Sequence, residues 1–500
     1  MNERVETPSD TVELILPTRT DLYYGGQWHE AMKKRRAEVT SPATGKVIAS
    51  VADADASDVD AAVAAARKGF EEWRAVPPLE RGKILKAMAA VLRKNGRELA
   101  MLDAADGGNP FTEMQGDVMI AAAQMEFFAG LVTEMKGNSI PMGPTAVNFS
   151  IREPHGVVAR IIPFNHPFMF CAGKSAAPLA AGNAVIIKPP EQAPLSALRL
   201  AELIGGMLPP GVFNVIPGGR EVGAALSGHG DVNMVALIGS VPTGRAVMKS
   251  AAETIKPVLL ELGGKNALIA FADADPDEVA TAVVSGMNFT WCGQSCGSTS
   301  RAFLHDDIHD AVVARVAERA ARFKPGIPTD PATTMGAIAS KAQYEKVMRY
   351  IDIAKSEGAR VVCGGKRPDG VELSEGNFVE PTIFADVTMD MTIAREEIFG
   401  PVLSVLRWKD EAAMVKQVNQ VEYGLTCSIW TNDLTKAHRT ALEVQAGYIW
   451  VNDTSKHFLG APFGGFKQSG IGREECLEEL IAFTQEKNIH INLNRGVARP

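Results

Sequence analysis

Apolar and polar residues alternate along this chain in two textures. From Asp55 the segment DASDVDAAVAAARKGFEEW places apolar residues at helical spacing behind an Asp/Ser-rich start, which predicts an amphipathic helix. ERGKILKAMAAVLRKNGRELAML repeats the pattern as one run, and helices are expected to about Met135. At residue 156 the texture changes. GVVARIIPF is a short β-branched run ending at proline, which fits a buried strand. Residues 175–182 read as helix and NAVIIKPP as strand. ALRLAELIGGML reads as a helix closed by Pro209-Pro210-Gly211. VFNVIPG, VALIGS and VLLELGG read as further strands. A second series, NALIAF, AFLH, ARVVCGG, LSVLRW and CSIWT, reads as strands between helical stretches. Such alternation indicates an α/β fold with parallel sheets. Residues 138–155 predict a hairpin, NIHINLN an edge strand, and residues 1–20 a polar arm. There is no internal repeat or low-complexity segment.

Composition narrows the class. The chain has 500 residues, enough for two or three domains. Hydrophobic residues at 46% and charged residues at 22% match soluble globular proteins. A formal net charge of -8 argues against nucleic acid as a partner. The one dense basic block, Lys33-Lys34-Arg35-Arg36, reads as a solvated turn between early strands. Six cysteines without a CxxC pair make neither a disulfide framework nor a metal site, and point to a reducing, cytoplasmic setting. Met1–Asp10 is not a secretory signal, and no uncharged apolar stretch is long enough to span a membrane.

Four short pieces carry candidate chemistry. Gly239-Ser240-Val241-Pro242-Thr243-Gly244 follows a predicted strand and opens a helix, with Ser240 as N-cap. A helix N-terminus there suits a phosphate, although an ordinary strand-to-helix turn has the same pattern. Lys188-Pro189-Pro190-Glu191 ends a strand on the edge where α/β sheets bind ligands, and its carboxylate suits ribose hydroxyls; a surface pair reads the same way. Glu261-Leu262-Gly263-Gly264-Lys265-Asn266 puts a carboxylate at a buried strand end, where a raised pKa suits a general base; a solvated loop glutamate is the alternative. In Gly293-Gln294-Ser295-Cys296-Gly297-Ser298, small neighbours leave a thiol accessible to attack a carbonyl. An inert buried cysteine is the alternative for this piece.

In this order, and with EEIFGPV at 396–402 and PFGGFKQSGIGRE at 462–474, these pieces resemble the aldehyde dehydrogenase superfamily from about residue 20 to about 490. The resemblance implies Cys296 as nucleophile and Glu261 as general base. It implies Asn165 as oxyanion-hole donor, with Lys174 and Glu474 in proton relay. For the cofactor it implies Ile162, Pro163 and Phe164 at the nicotinamide, and Lys188 and Glu191 at the adenosine ribose. Gly219 and Gly223 fall near the adenine, and Gly239, Ser240 and Gly244 at the pyrophosphate. Leu262 is also implied to contact the cofactor, with Glu397 and Phe399 at the nicotinamide ribose. Glu191 would repel a 2′-phosphate, so NAD is expected, with NADP possible. Phe164 stands where the family often has Trp, His166 where it has an aromatic, and Leu237-Ile238 where it has Phe-Thr. His166 is expected to be a polar wall of the substrate tunnel or a substrate contact.

The implied architecture is a Rossmann-like cofactor domain (1–137 and 156–262), an α/β catalytic domain (263–470) and an oligomerisation arm (138–155 and 471–500). The exposed edge of NIHINLN would pair with a neighbouring subunit, giving a homodimer or homotetramer. The implied reaction oxidises an aldehyde to an acid through a thiohemiacetal and a thioester on Cys296. A CoA-acylating relative and a silent scaffold are the competing readings; Glu261 speaks against the first, and Cys296, Glu261 and Asn165 together against the second. Phe168, Phe170, Phe289, Trp291, His457 and Phe458 are expected to line the substrate entrance. Their rings suit an aromatic or medium-sized apolar aldehyde, whereas Lys456 and His457 would suit a carboxylate.

Overall fold

The structure, a computed structural model, describes residues 14–494; the expectations for Met1–Asp10 and most of the polar arm fall outside that range. One sheet has eight strands in the spatial order Gln27–His29, Leu22–Tyr24, Phe213–Val215, Ala184–Lys188, Val157–Ile161, Met234–Gly239, Val258–Leu262 and Gly470–Ile471. The five from Phe213–Val215 to Val258–Leu262 run parallel. They are buried at nearly every position, as expected of parallel strands covered on both faces. The chain steps outward from Val157–Ile161 to Phe213–Val215, then returns to the other side of Val157–Ile161 with Met234–Gly239. That reversal opens a crevice beyond the strands' carboxyl ends.

The second sheet has seven strands: Arg360–Cys363, Thr382–Ala385, Val402–Trp408, Arg301–His305, Ala267–Ala270, Thr426–Trp430 and Tyr448–Val451. Only the Arg360–Cys363 edge is antiparallel. Residues 263–266 run straight from one sheet into the other. The segment after residue 465 then crosses back, because Gly470–Ile471 pairs antiparallel with Leu260 and Glu261. The division expected at residue 470 falls inside that short strand.

Helix Ala56–Ala75 begins in a capping box, with Asp55 accepting from the backbone of Ser57 and Asp58, as its start signal predicts. The single helical run expected over residues 80–102 is two helices, Pro78–Lys94 and Gly96–Gly107. Asn95 interrupts it by turning its amide back to the Val91 carbonyl (2.8 Å), the local competition that makes Asn a poor helix-interior residue. The basic block does sit near a turn, with Lys34 at φ 54°. It is solvated, as expected, with Lys33, Lys34 and Arg36 exposed; Lys33 pairs with Asp55 (2.8 Å), Arg35 with Asp53 (3.3 Å) and Arg36 with Asp21 (3.0 Å).

Ser139–Ile140 and Ala146–Pro154 form the hairpin. Thr484–Asn492, which contains most of NIHINLN, pairs with Ala146–Pro154 along its full length. One edge of that terminal strand is therefore covered from within the chain, and only the other stays open. Among the described residues no helix is long and apolar enough to cross a membrane.

Candidate active site

Cys296 lies on the loop between the 3₁₀ turn Phe289–Trp291 and strand Arg301–His305. The loop is tied to the second sheet by Asn266, whose amide nitrogen donates to the carbonyls of Cys296 (2.6 Å) and Ser298 (3.0 Å). Its amide oxygen accepts from the Thr426 N–H (3.0 Å). Gln294 adds a bond from the Ala339 N–H to its side-chain oxygen (3.2 Å). Opposite stands Glu261, near the end of a first-sheet strand and only 4% exposed. Burial pushes its carboxyl up to about 8, against the pull of a hydrogen bond from the Cys296 thiol. Burial and the neighbouring Glu261 charge push the thiol well above its ordinary range as well. Both shifts favour the protonated form over the buried charge.

Both residues border a cavity of about 270 Å³. Phe170, Trp291, Trp450 and Phe463 supply its rings, and Lys174, Glu474 and Glu475 its charges. Lys174 bonds Glu474 (3.0 Å) and Glu475 (3.6 Å); Arg160 bonds Glu474 (3.2 Å) and Glu479 (3.4 Å). All five are under 10% exposed. Burial alone would raise the Glu474 and Glu475 carboxyls, but Lys174 and, for Glu474, Arg160 hold them low, Glu475 at about 2. Glu475 also bonds His457 (3.0 Å) at the cavity wall. Lys174 and Glu474, expected together, are brought together. Asn165 is buried beside this wall, its backbone oxygen accepting from Asn109 (2.7 Å) and its side-chain oxygen without a partner.

The substrate residues divide. Phe170, Trp291 and His457 line the cavity; Phe168, Phe289 and Phe458 do not. Phe168 sits two residues from Phe170 on helix Pro167–Gly173. At 3.6 residues per turn that step rotates a side chain by about 200°, so it faces the core. Phe289 and Trp291 are separated the same way in a three-residue turn; Phe289 packs on Phe323 (5.8 Å between ring centroids). Phe458 is 56% exposed. His166 does line the cavity, its Nδ1 2.7 Å from Asp117. Asp117 and Gln124, both cavity residues on helix Phe111–Gly130, are absent from the sequence-based site. Their signal is a pair of polar residues seven apart, hence on one face, in a helix otherwise rich in buried apolar side chains.

The crevice of the first sheet holds the other group. Ile161, Lys188, Glu191, Gly219, Gly223 and Thr243 line a space of about 470 Å³. Burial lowers the Lys188 ammonium, and Glu191 partly offsets that. Ser240 caps helix Val241–Ala252, accepting from Thr243 N–H (3.4 Å). A Cβ on Gly244 would lie 2.6 Å from Leu262, so this glycine also lets the helix approach strand Val258–Leu262. Leu262, expected at the cofactor, is buried in this helix–strand contact. Toward the nicotinamide end expected from the sequence, Phe164 and Phe399 meet edge to face (5.8 Å). Glu397 accepts from the Gly264 N–H (2.9 Å), and a Cβ on Gly263 would strike its carboxylate. Carboxylates such as Glu191 and Glu397 can accept from ribose hydroxyls, and the N-terminus of a helix such as Val241–Ala252 can take a phosphate.

The sequence model of the aldehyde dehydrogenase family matches residues 28–489. The chain is 52% identical over 490 residues to aldehyde dehydrogenase tropH of Talaromyces stipitatus, covering 96% of this chain and 95% of that protein. Among solved structures, an NAD+ complex of aldehyde dehydrogenase from Bacillus cereus superposes with a TM-score of 0.92 at 38% identity, over 96% of this chain and 97% of that one. The P. syringae indole-3-acetaldehyde dehydrogenase AldA, in complex with NAD+ and IAA, gives 0.93 at 37% identity, with the same coverage.

Proposed function

The chain belongs to the aldehyde dehydrogenase family, and from that premise we propose that it oxidises an aldehyde to a carboxylic acid with Cys296 as the nucleophile. The observation that carries this reading is that Cys296 and the buried Glu261 border the same aromatic-walled cavity. Glu261 takes the thiol proton as sulfur adds to the carbonyl carbon, giving a thiohemiacetal. The oxyanion that develops is held by the Asn165 amide and the Cys296 N–H. The crevice residues would hold NAD, which would supply the hydride acceptor for this carbon. Glu261 passes the thiol's proton to solvent, then removes a proton from the water that opens the thioester on Cys296; that proton returns to the sulfur as the acid departs and the thiol re-forms. Glu261 favours water over CoA as the acyl acceptor.

The crevice residues Lys188, Glu191, Gly219 and Gly223 fit an adenosine, and Glu397 with Phe399 the nicotinamide ribose. Glu191 favours NAD over NADP. The open edge of Thr484–Asn492 supports a dimer or tetramer, and six unpaired cysteines support a cytoplasmic location. The test is NADH formation on mixing protein, NAD and a panel of aromatic, aliphatic and ω-carboxy aldehydes. Absence of NADH with every aldehyde, although NAD binds, overturns the reading.

A further inference from the structure

At the cavity wall His166, 8% exposed, uses Nδ1 for Asp117 (2.7 Å), which fixes the ring, and its Nε2 has no partner among the described residues. Trp291 borders the cavity beside it, the two rings 5.5 Å apart at 62°. A polar atom left without a partner at a buried wall calls for an explanation, and a ligand hydroxyl supplies one, because it can accept from Nε2 or donate to it. Burial alone would lower the His166 pKa, but Asp117, Asp103 and Glu113 raise it above the ordinary value.

The remaining wall fixes the rest of the ligand. Phe170, Trp291, Trp450 and Phe463 surround the space with flat apolar faces, which suit a ring. A cavity of about 270 Å³ is at the small end for organic ligands, so one ring fits better than two. A carboxylate finds no spare lysine among the described cavity residues: Lys174 is held by Glu474 and Glu475. Lys456 is 65% exposed on its side chain, bonded to Asp453 (3.1 Å) and away from the cavity.

We propose that the cavity selects a single-ring aromatic aldehyde carrying a hydroxyl group that hydrogen-bonds His166 Nε2. The inference rests on the aldehyde-oxidising reading above. It is tested by comparing kcat/KM, with NAD saturating, for 3- and 4-hydroxybenzaldehyde against the methylbenzaldehydes of the same shape. The wild-type protein is expected to favour at least one hydroxy compound about tenfold or more over its methyl partner, as a site built to bond a hydroxyl does. His166→Phe should bring that ratio to within about threefold of one, a loss of one hydrogen bond. Should His166→Phe fail to fold by circular dichroism, Asp117→Asn reads the same ring through its anchor and should also lower the ratio. Equal use of hydroxy and methyl compounds by the wild type, or a ratio that survives in these variants, overturns the proposal. Turnover of the methyl compounds in that case leaves the oxidation reading standing; no NADH from any aldehyde removes both.

Discussion

The cavity at Cys296 and the crevice at Lys188 both adjoin the carboxyl ends of first-sheet strands, yet they are made differently. The crevice is local. Ile161, Lys188, Gly219 and Thr243 each follow a strand within a few residues, and Glu191 remains exposed. The cavity draws on segments from Asp117 to Glu475, and its charges are buried and matched. The difference teaches where the chemistry needs protection. A surface that only holds a ligand can leave a charge such as Glu191 in water, where it interacts weakly, although Lys188 beside it is buried. A site that must create and discharge an oxyanion keeps them dry and paired, at a cost in desolvation.

That contrast can be broken or sharpened by removing one group at a time. Cys296→Ala should lower turnover by on the order of 10⁴-fold or more, while NAD affinity, read by fluorescence titration, changes less than about twofold. A parallel loss of NAD binding would mean that the two clefts are not independent. Glu261→Gln should cost about 10²–10⁴-fold in kcat. Glu261 must be ionised to accept a proton and its pKa is raised to about 8. The wild-type kcat/KM should therefore fall as pH drops below about 8, and this limb should be absent from the variant. Lys174→Met strips Glu474 and Glu475 of their buried cation and should cost about 3–5 kcal/mol in a denaturant melt. A loss under about 1 kcal/mol would show that the cavity charges behave like surface pairs. Smallest is Glu191→Gln in the crevice: the NADP-to-NAD ratio of kcat/KM should rise about tenfold, roughly 1.4 kcal/mol. An unchanged ratio would detach this carboxylate from cofactor choice.

The crevice was legible because its residues sit at strand ends that the hydrophobic runs mark. Lys188, Glu191, Gly219 and Gly223 converge as expected. At Gly244 and Leu262 packing and ligand readings overlap: a glycine needed for a helix to approach a leucine looks the same in sequence as one needed for a ligand. In the cavity, Cys296 and Glu261 stood out by their local motifs. The aromatic wall was half misread, because residue type does not tell which side of a short helix faces the hole. Phe168 and Phe170 differ only in that.

From its own spacing and residue order the chain determined the strand–helix alternation, the two parallel sheets and the thiol–carboxylate pair, since each of these is written in stretches of a few residues. Tertiary structure alone decided that Arg160 meets Glu474 and Glu479, more than 300 positions away, that Asp117 anchors His166, and that the terminal strand covers the hairpin. These contacts depend on how whole layers pack. Burial raises the Glu479 carboxyl while Lys174 and Arg160 hold Glu474 low against it, and no local pattern encodes burial and pairing of that kind.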